Sequence, residues 1–363
     1  MPEFNPINET IKKQYEEALL HGRGRDPKTV RTVWSNINLF ENFTHHLGFK
    51  TFDAEQAKSF KRWLEKRKNQ DGELLSVSTV RSTLKNIREF FEWLAIHPQY
   101  MRKVDGRAVQ YLRLSNNANR SARASKEKTP PSLDELKLAL EAMPFKTDIE
   151  KRDRAIFAFM ILTCVRDDAL VSLKRKHIDI DKKSVWQDPK IVRTKNRKGI
   201  STYFVSQPLP IAETIFIDWI NHIDKKLNFK PNDPLFPKTR VETSAETMAF
   251  EAVGLSQEHW ANAQPVRDIF KKAFLAVGLP YFNPHLFRNS IIKWGLKNLN
   301  QYEFKALSQN IGHEHAMTTY NSYAKLSEDE QREAIFGIGE SNRDLQSIPM
   351  ETLLAEIGKR AVK

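Results

Sequence analysis

Apolar residues recur at helical spacing through the first third of the chain and predict a run of amphipathic helices. A first helix is expected over residues 8–20, closed by Gly22 and Gly24. Asp26 and Pro27 then supply a cap and a first-turn proline, ahead of Val30, Val33, Trp34, Ile37, Phe40 and Leu47 at helical intervals. A third helix over about 54–68 buries Phe60, Trp63 and Leu64, while Lys58, Lys61, Arg62, Arg67 and Lys68 occupy its other positions. Ser78 and Thr79 open a fourth, whose stripe is Val80, Leu84, Ile87, Phe91 and Leu94. Together these predict a small all-helical bundle.

The pattern then breaks. Residues 115–131 are Asn, Ser, Ala, Arg and Lys without an aromatic and end in Pro130-Pro131, the composition of an extended basic linker. Ser132 and Glu135 form a capping-box pattern before Leu133, Leu136, Leu140 and Met143, so a second domain starts there. Residues 152–162 read as a buried helix leading to Thr163-Cys164-Val165-Arg166. Between 180 and 209 the signal changes to strands, at 184–186, 190–193 and 202–206 with a basic turn at 195–199, and predicts a three-stranded antiparallel sheet. Helix returns over 211–227, residues 231–240 read as a loop, 245–263 are weakly patterned, and 266–277 form a good helix. The predicted fold is mainly α, a helical bundle followed by an α-rich domain with a small antiparallel sheet. The boundaries fall at 8–114, a linker at 115–131, a second domain at 132–340 and a tail helix at 341–363.

The richest chemistry lies between Asn283 and Lys325. Asn283 is suited to cap a helix and Pro284 to begin it, which puts His285 in the first turn with Arg288 three residues on, both on one face. An acid/base group and a fixed cation beside the positive end of a helix dipole make a natural seat for a phosphate. Gly312 is placed to end a helix over 302–309 in a left-handed turn, so that His313 starts a connection to a short helix bearing Tyr320 and Tyr323.

Composition sharpens this picture. In 363 residues, 58 Lys and Arg against 45 Asp and Glu leave a net charge of +13, which favours a polyanionic partner. One cysteine, Cys164, excludes an internal disulfide framework and a cysteine-based zinc cluster. The start has no signal region, and no apolar run approaches the ~20 residues of a membrane span, so a cytoplasmic protein without a membrane partner is expected.

His285-x-x-Arg288, Gly312-His313, Thr318-Thr319 and a tyrosine ten residues past the histidine resemble the C-terminal signature of the tyrosine recombinases, the phage-integrase family. Thr163-Cys164-Val165-Arg166 resembles that family's first arginine box, with Cys164 where glycine is usual and Ala169 where an acid is common. Phe90-Phe91-x-Trp93-Leu94 resembles its core-binding domain. The resemblance implies a site-specific recombinase that attacks DNA with Tyr323 and forms a 3′-phosphotyrosine. By the same resemblance, Arg166 and Arg288 hold the phosphorane charge, His285 assists deprotonation, His313 binds phosphate and Lys195, with Lys198 as its rival, protonates the leaving 5′ oxygen. Tyr320 is the rival nucleophile. The implied partners are double-stranded DNA with specific recombination sites, further copies of the chain up to a synaptic tetramer, and accessory DNA-bending factors.

Transesterification conserves bond energy, so no cofactor is expected, and no carboxylate cluster suggests a two-metal site. A simple two-domain integrase of a mobile element fits the length. A type IB topoisomerase and an inactive architectural DNA-binding protein are the competing classes.

Overall fold

The structure, a computed structural model, describes residues 4–101, 103–115, 117, 129–194, 198–243, 249–312, 332, 335 and 336. The chain divides into two compact units, Met1–Glu127 and Lys128–Lys363.

In the first unit, α1 (Pro6–Glu17) starts two residues before the periodicity predicts, because the Asn5 side chain accepts from the amides of Ile7 and Asn8. It runs into a π-helical turn, Ala18–Gly22. Asp26 caps α2 (Pro27–Phe43), Asp53 caps α3 (Ala54–Lys66) and Ser76 caps α4 (Val77–Ile96). The expected continuation of α2 to Leu47 fails: His45 and His46 adopt positive φ, turn the chain, and leave Leu47 exposed.

The predicted apolar stripes meet in one aromatic core, where Phe52 stacks on Phe91 at 3.7 Å between ring centroids. A buried polar network also crosses it. Lys12 Nζ reaches Glu41 Oε2 at 2.7 Å and Asn38 Oδ1 at 2.9 Å, and Asn8 joins Glu41 to the amide of Phe49. This pairing offsets the desolvation of both charges. On α3, Lys58 and Arg62 are exposed, whereas Lys61 donates to the carbonyl of Arg113.

The second unit is built on α6 (Asp148–Thr163), buried on all sides from Ala155 onward, as a helix apolar around its whole circumference must be. Before it comes α5 (Leu133–Ala142), opened by the expected Ser132–Glu135 capping box. After it come α7 (Asp167–Leu170), α8 (Ile211–Lys225), α9 (Gln264–Ala276), α10 (Pro284–Asn298) and α11 (Gln301–Asn310). Phe157 of α6 packs on Phe270, Phe274 and Phe287, joining α9 and α10 to the centre.

The sheet is three-stranded and antiparallel, in the order β1 (Ile178–Asp179), β2 (Ser184–Gln187), β3 (Ile200–Tyr203). Residues 190–193 are not a strand. Asp188 receives the amides of Lys190, Ile191 and Val192 and curls them into a turn, and Pro189 has no N–H for a ladder. The residues expected as loop and weak pattern carry an exposed hairpin, β4 (Thr239–Thr243) paired with β5 (Phe250–Leu255). No helix among the described residues is long and apolar enough to cross a membrane. Of the expected linker, residues 116 and 118–128 lie outside the described residues. So do residues 313–331, 333–334 and 337–363, which include the expected tail helix, whereas Arg332, Ile335 and Phe336 are helical.

Candidate active site

Four segments of the second unit converge around Arg288. Asn283 caps α10 by accepting the amide of Leu286, and Pro284 lies in the first turn. His285 is exposed in that turn, whereas Arg288, three residues on, is 2% exposed. The pair therefore spans the depth of the site instead of presenting both heads to solvent.

Arg288 Nη1 donates to the carbonyl of Cys164 at 2.6 Å, and Nη2 donates to the carbonyl of Ile311 at 2.7 Å. One planar guanidinium thus joins the end of α6 to the end of α11, a use of its rigid fork that an ammonium cannot copy. No carboxylate neutralises Arg288 among the described residues, and its buried Nε has no partner there. Among the described residues this buried cation is met by carbonyl dipoles and not by a counter-charge.

Cys164 has φ +50° and ψ +25°, the left-handed conformation that glycine adopts without strain. That geometry accounts for the chemistry of the position: the chain must reverse sharply after Thr163 to deliver Arg166. Its thiol is fully buried, and burial pushes its pKa up to about 12, partly offset by the nearby Arg288. Arg166 is half-buried at the start of α7, and its carbonyl accepts the amides of Ala169 and Leu170. Asp167 takes Arg267 as its partner, at 3.0 and 2.8 Å, which holds the Arg267 guanidinium above its ordinary pKa. Ala169 is buried against the core, where an acid would lose its hydration.

The hairpin adds a fourth segment. Lys195 belongs to the β2–β3 connection and lies outside the described residues, whereas its rival Lys198 is exposed beside Gly199. Asn310, the last residue of α11, binds β3: its Oδ1 accepts the amide of Tyr203 at 2.6 Å and its Nδ2 donates to the carbonyl of Tyr203 at 2.9 Å. Gly312 has φ +82°, as its expected turn requires, and a side chain there would meet Ile200 of β3 at 2.9 Å. His313, Tyr320 and Tyr323 lie outside the described residues.

Sequence reading missed Arg267 and Asn310. Their partners lie 100 and 107 residues away, and neither stands in a motif.

Residues 132–330 match the phage integrase family, and residues 13–97 match the phage integrase N-terminal SAM-like domain. The chain therefore belongs to the phage integrase family, and by class it is a tyrosine-type site-specific DNA recombinase. Among its relatives, a probable integrase/recombinase of Aquifex aeolicus is 24% identical over 329 residues, 86% of this chain and 94% of the relative. The tyrosine recombinase XerC of Lactobacillus delbrueckii subsp. bulgaricus is 23% identical over 313 residues, 85% of this chain and 92% of the relative.

Two solved structures share the fold. A lambda integrase fragment, solved as a dimer bound to a core site, aligns with TM-score 0.54 and 15% identity over 87% of this chain and 95% of its own. The Tn1549 transposon integrase, in complex with a circular intermediate DNA, aligns with TM-score 0.54 and 14% identity over 91% of this chain and 99% of its own.

Proposed function

We propose that this recombinase cuts and rejoins duplex DNA at specific sites through a 3′-phosphotyrosine formed by Tyr323, integrating or excising a mobile element. In the cleavage step the Tyr323 oxygen bonds to phosphorus, the bond from phosphorus to O5′ breaks, and the tyrosine proton passes to a base aided by His285. Lys195 gives its proton to O5′. Arg166, half-exposed at the mouth of the site, binds the nonbridging oxygens with His313, while buried Arg288 stabilises the phosphorane charge from beneath. Rejoining reverses each transfer with the 5′ hydroxyl of a partner strand, so no cofactor is consumed.

The helical unit, residues 8–114, grips the duplex with its basic faces. A linker over 115–131 lets it and the catalytic domain, 132–340, close around DNA, and the tail from 341 docks on a neighbouring copy in a synaptic tetramer. Accessory DNA-bending factors assist synapsis in the cytoplasm. The observation that carries the reading is the Arg288 bridge, which draws together the segments bearing Arg166, His285 and the approach to His313.

The test uses a nicked duplex carrying the sequence that the wild-type protein selects from a randomised pool. Wild type should form a covalent adduct. Tyr323→Phe should form none while binding the duplex within about 1 kcal/mol of wild type, because only a hydroxyl is lost. An adduct that survives Tyr323→Phe and disappears with Tyr320→Phe would reassign the nucleophile.

A further inference from the structure

Arg166 stands at the start of α7, which is only one turn of helix. A single turn has too few hydrogen bonds to hold its own place, so neighbouring elements must fix where it begins. Upstream this is done by Arg288, which holds the Cys164 carbonyl two residues before Arg166. Downstream it falls to Asp167, the next residue in the chain. Its Oδ1 accepts the amide of Asp168 at 2.9 Å, and its Oδ2 accepts Nε and Nη2 of Arg267 at 3.0 and 2.8 Å. Arg267 lies in the first turn of α9, a helix anchored in the core by Phe270 and Phe274, which pack on Phe157 and Phe287. Residues 164–167 are thus held at one end by a guanidinium from α10 and at the other by a guanidinium from α9.

We infer that Arg267 is a positioning residue that, through Asp167, sets how Arg166 is presented to the scissile phosphate. The inference rests on the role proposed above for Arg166. The Arg267 side chain is 47% exposed and that of Asp167 24%, so their pair adds little to stability. Its effect is on position. Adjacent Cα atoms are about 3.8 Å apart, so any shift of Asp167 is passed on to Arg166. A guanidinium donates two parallel bonds only when its fork faces the oxygens, and misplacement by about 1 Å costs on the order of 100-fold in rate. Ala169, where an acid is common in the family, cannot share this task.

The experiment follows covalent adduct formation on the nicked duplex of the selected sequence in a single turnover at saturating protein, with duplex affinity measured separately. Arg267→Ala should form the adduct about 10- to 100-fold more slowly than wild type while binding the duplex within about threefold of it. Arg267→Lys, which keeps one donor for Asp167, should recover part of the loss. Asp167→Asn keeps an acceptor for the Asp168 amide but removes the charge that holds Arg267, so it should be slowed to a similar degree. The double variant Asp167→Asn/Arg267→Ala should be at most about threefold slower than the slower single. Arg166→Lys keeps a cation without the fork, and in that background Arg267→Ala should cost no more than about threefold.

Losses that multiply in either pair, or an Arg267→Ala protein as fast as wild type, would overturn the positioning role. So would a loss confined to duplex affinity, which marks Arg267 as a phosphate contact. A drop in the denaturant midpoint large enough to account for the slower cleavage would assign Arg267 to stability instead. A wild type that forms no adduct, or an Arg166→Lys protein as fast as wild type, removes the proposed role of Arg166 and the inference with it. Adduct formation by wild type, slow cleavage by Arg166→Lys and multiplying losses sink the inference alone.

Discussion

The carbonyl of Cys164 and the guanidinium of Arg288 meet at 2.6 Å although 124 residues separate them in the chain. The contact needs both partners in their observed forms. The left-handed backbone at Cys164 turns its carbonyl toward α10, and the fork of Arg288 leaves a second nitrogen for Ile311. A strained residue and a buried cation together define the floor of the site.

Arg288→Lys keeps the charge but cannot donate to two carbonyls at fixed angles. Stability of the C-terminal unit should fall by about 2–4 kcal/mol, the cost of unpaired buried polar groups. Covalent cleavage should fall by at least about 100-fold. Denaturant unfolding and the adduct assay check the two effects, and a lysine variant close to wild type in both would show that the bridge is dispensable.

At position 164 the usual order of small residues should change. Ordinarily a buried alanine is more stable than glycine, but here φ +50° costs any L residue about 1–2 kcal/mol. Cys164→Gly should therefore be at least as stable as Cys164→Ala, and Cys164→Val should fall below both by about 2 kcal/mol because a β-branched side chain suits that conformation least. Thermal unfolding of the three variants decides it; alanine clearly above glycine would contradict the left-handed backbone.

The same thiol predicts alkaline sensitivity. Burial raises its folded pKa to about 12, whereas the unfolded thiol ionises near its ordinary value of 9.0. Its contribution to stability is thus complete below pH 9 and is lost as pH rises toward 12, with a slope of up to about 1.4 kcal/mol per pH unit. Tyr15, also raised to about 12 by burial, acts with the same sign in the N-terminal unit. Comparing wild type with Cys164→Ala isolates the cysteine: the variant should lose stability less steeply from pH 9 to 11.

DNA binding should weaken steeply with salt, since neutralising several phosphates releases as many counterions. A log-log slope of affinity against salt at least as steep as about −3 is expected from titrations of the selected duplex. A shallower slope would not fit a protein that closes two basic domains on DNA.

The sequence by itself determined the helices and their caps, because periodicity, Asp26-Pro27, Ser132 with Glu135, and Asn283-Pro284 act within one or two turns of chain. It also determined the family, since the arginine, histidine and tyrosine motifs keep their spacing without regard to packing. Residues 190–193 misled because the adjacent β-branched residues Ile191 and Val192 favour a strand locally, while the turn is made by hydrogen bonds to Asp188. The β4–β5 hairpin was illegible for the opposite reason: most of its side chains are exposed, so burial imposes no alternation on it. Only the tertiary structure decided which side Arg288 faces, that Asp167 belongs to Arg267, and that Asn310 closes the edge of β3. Each of these is a contact across 23 to 124 residues, made by a side chain whose local sequence is equally compatible with exposure to water.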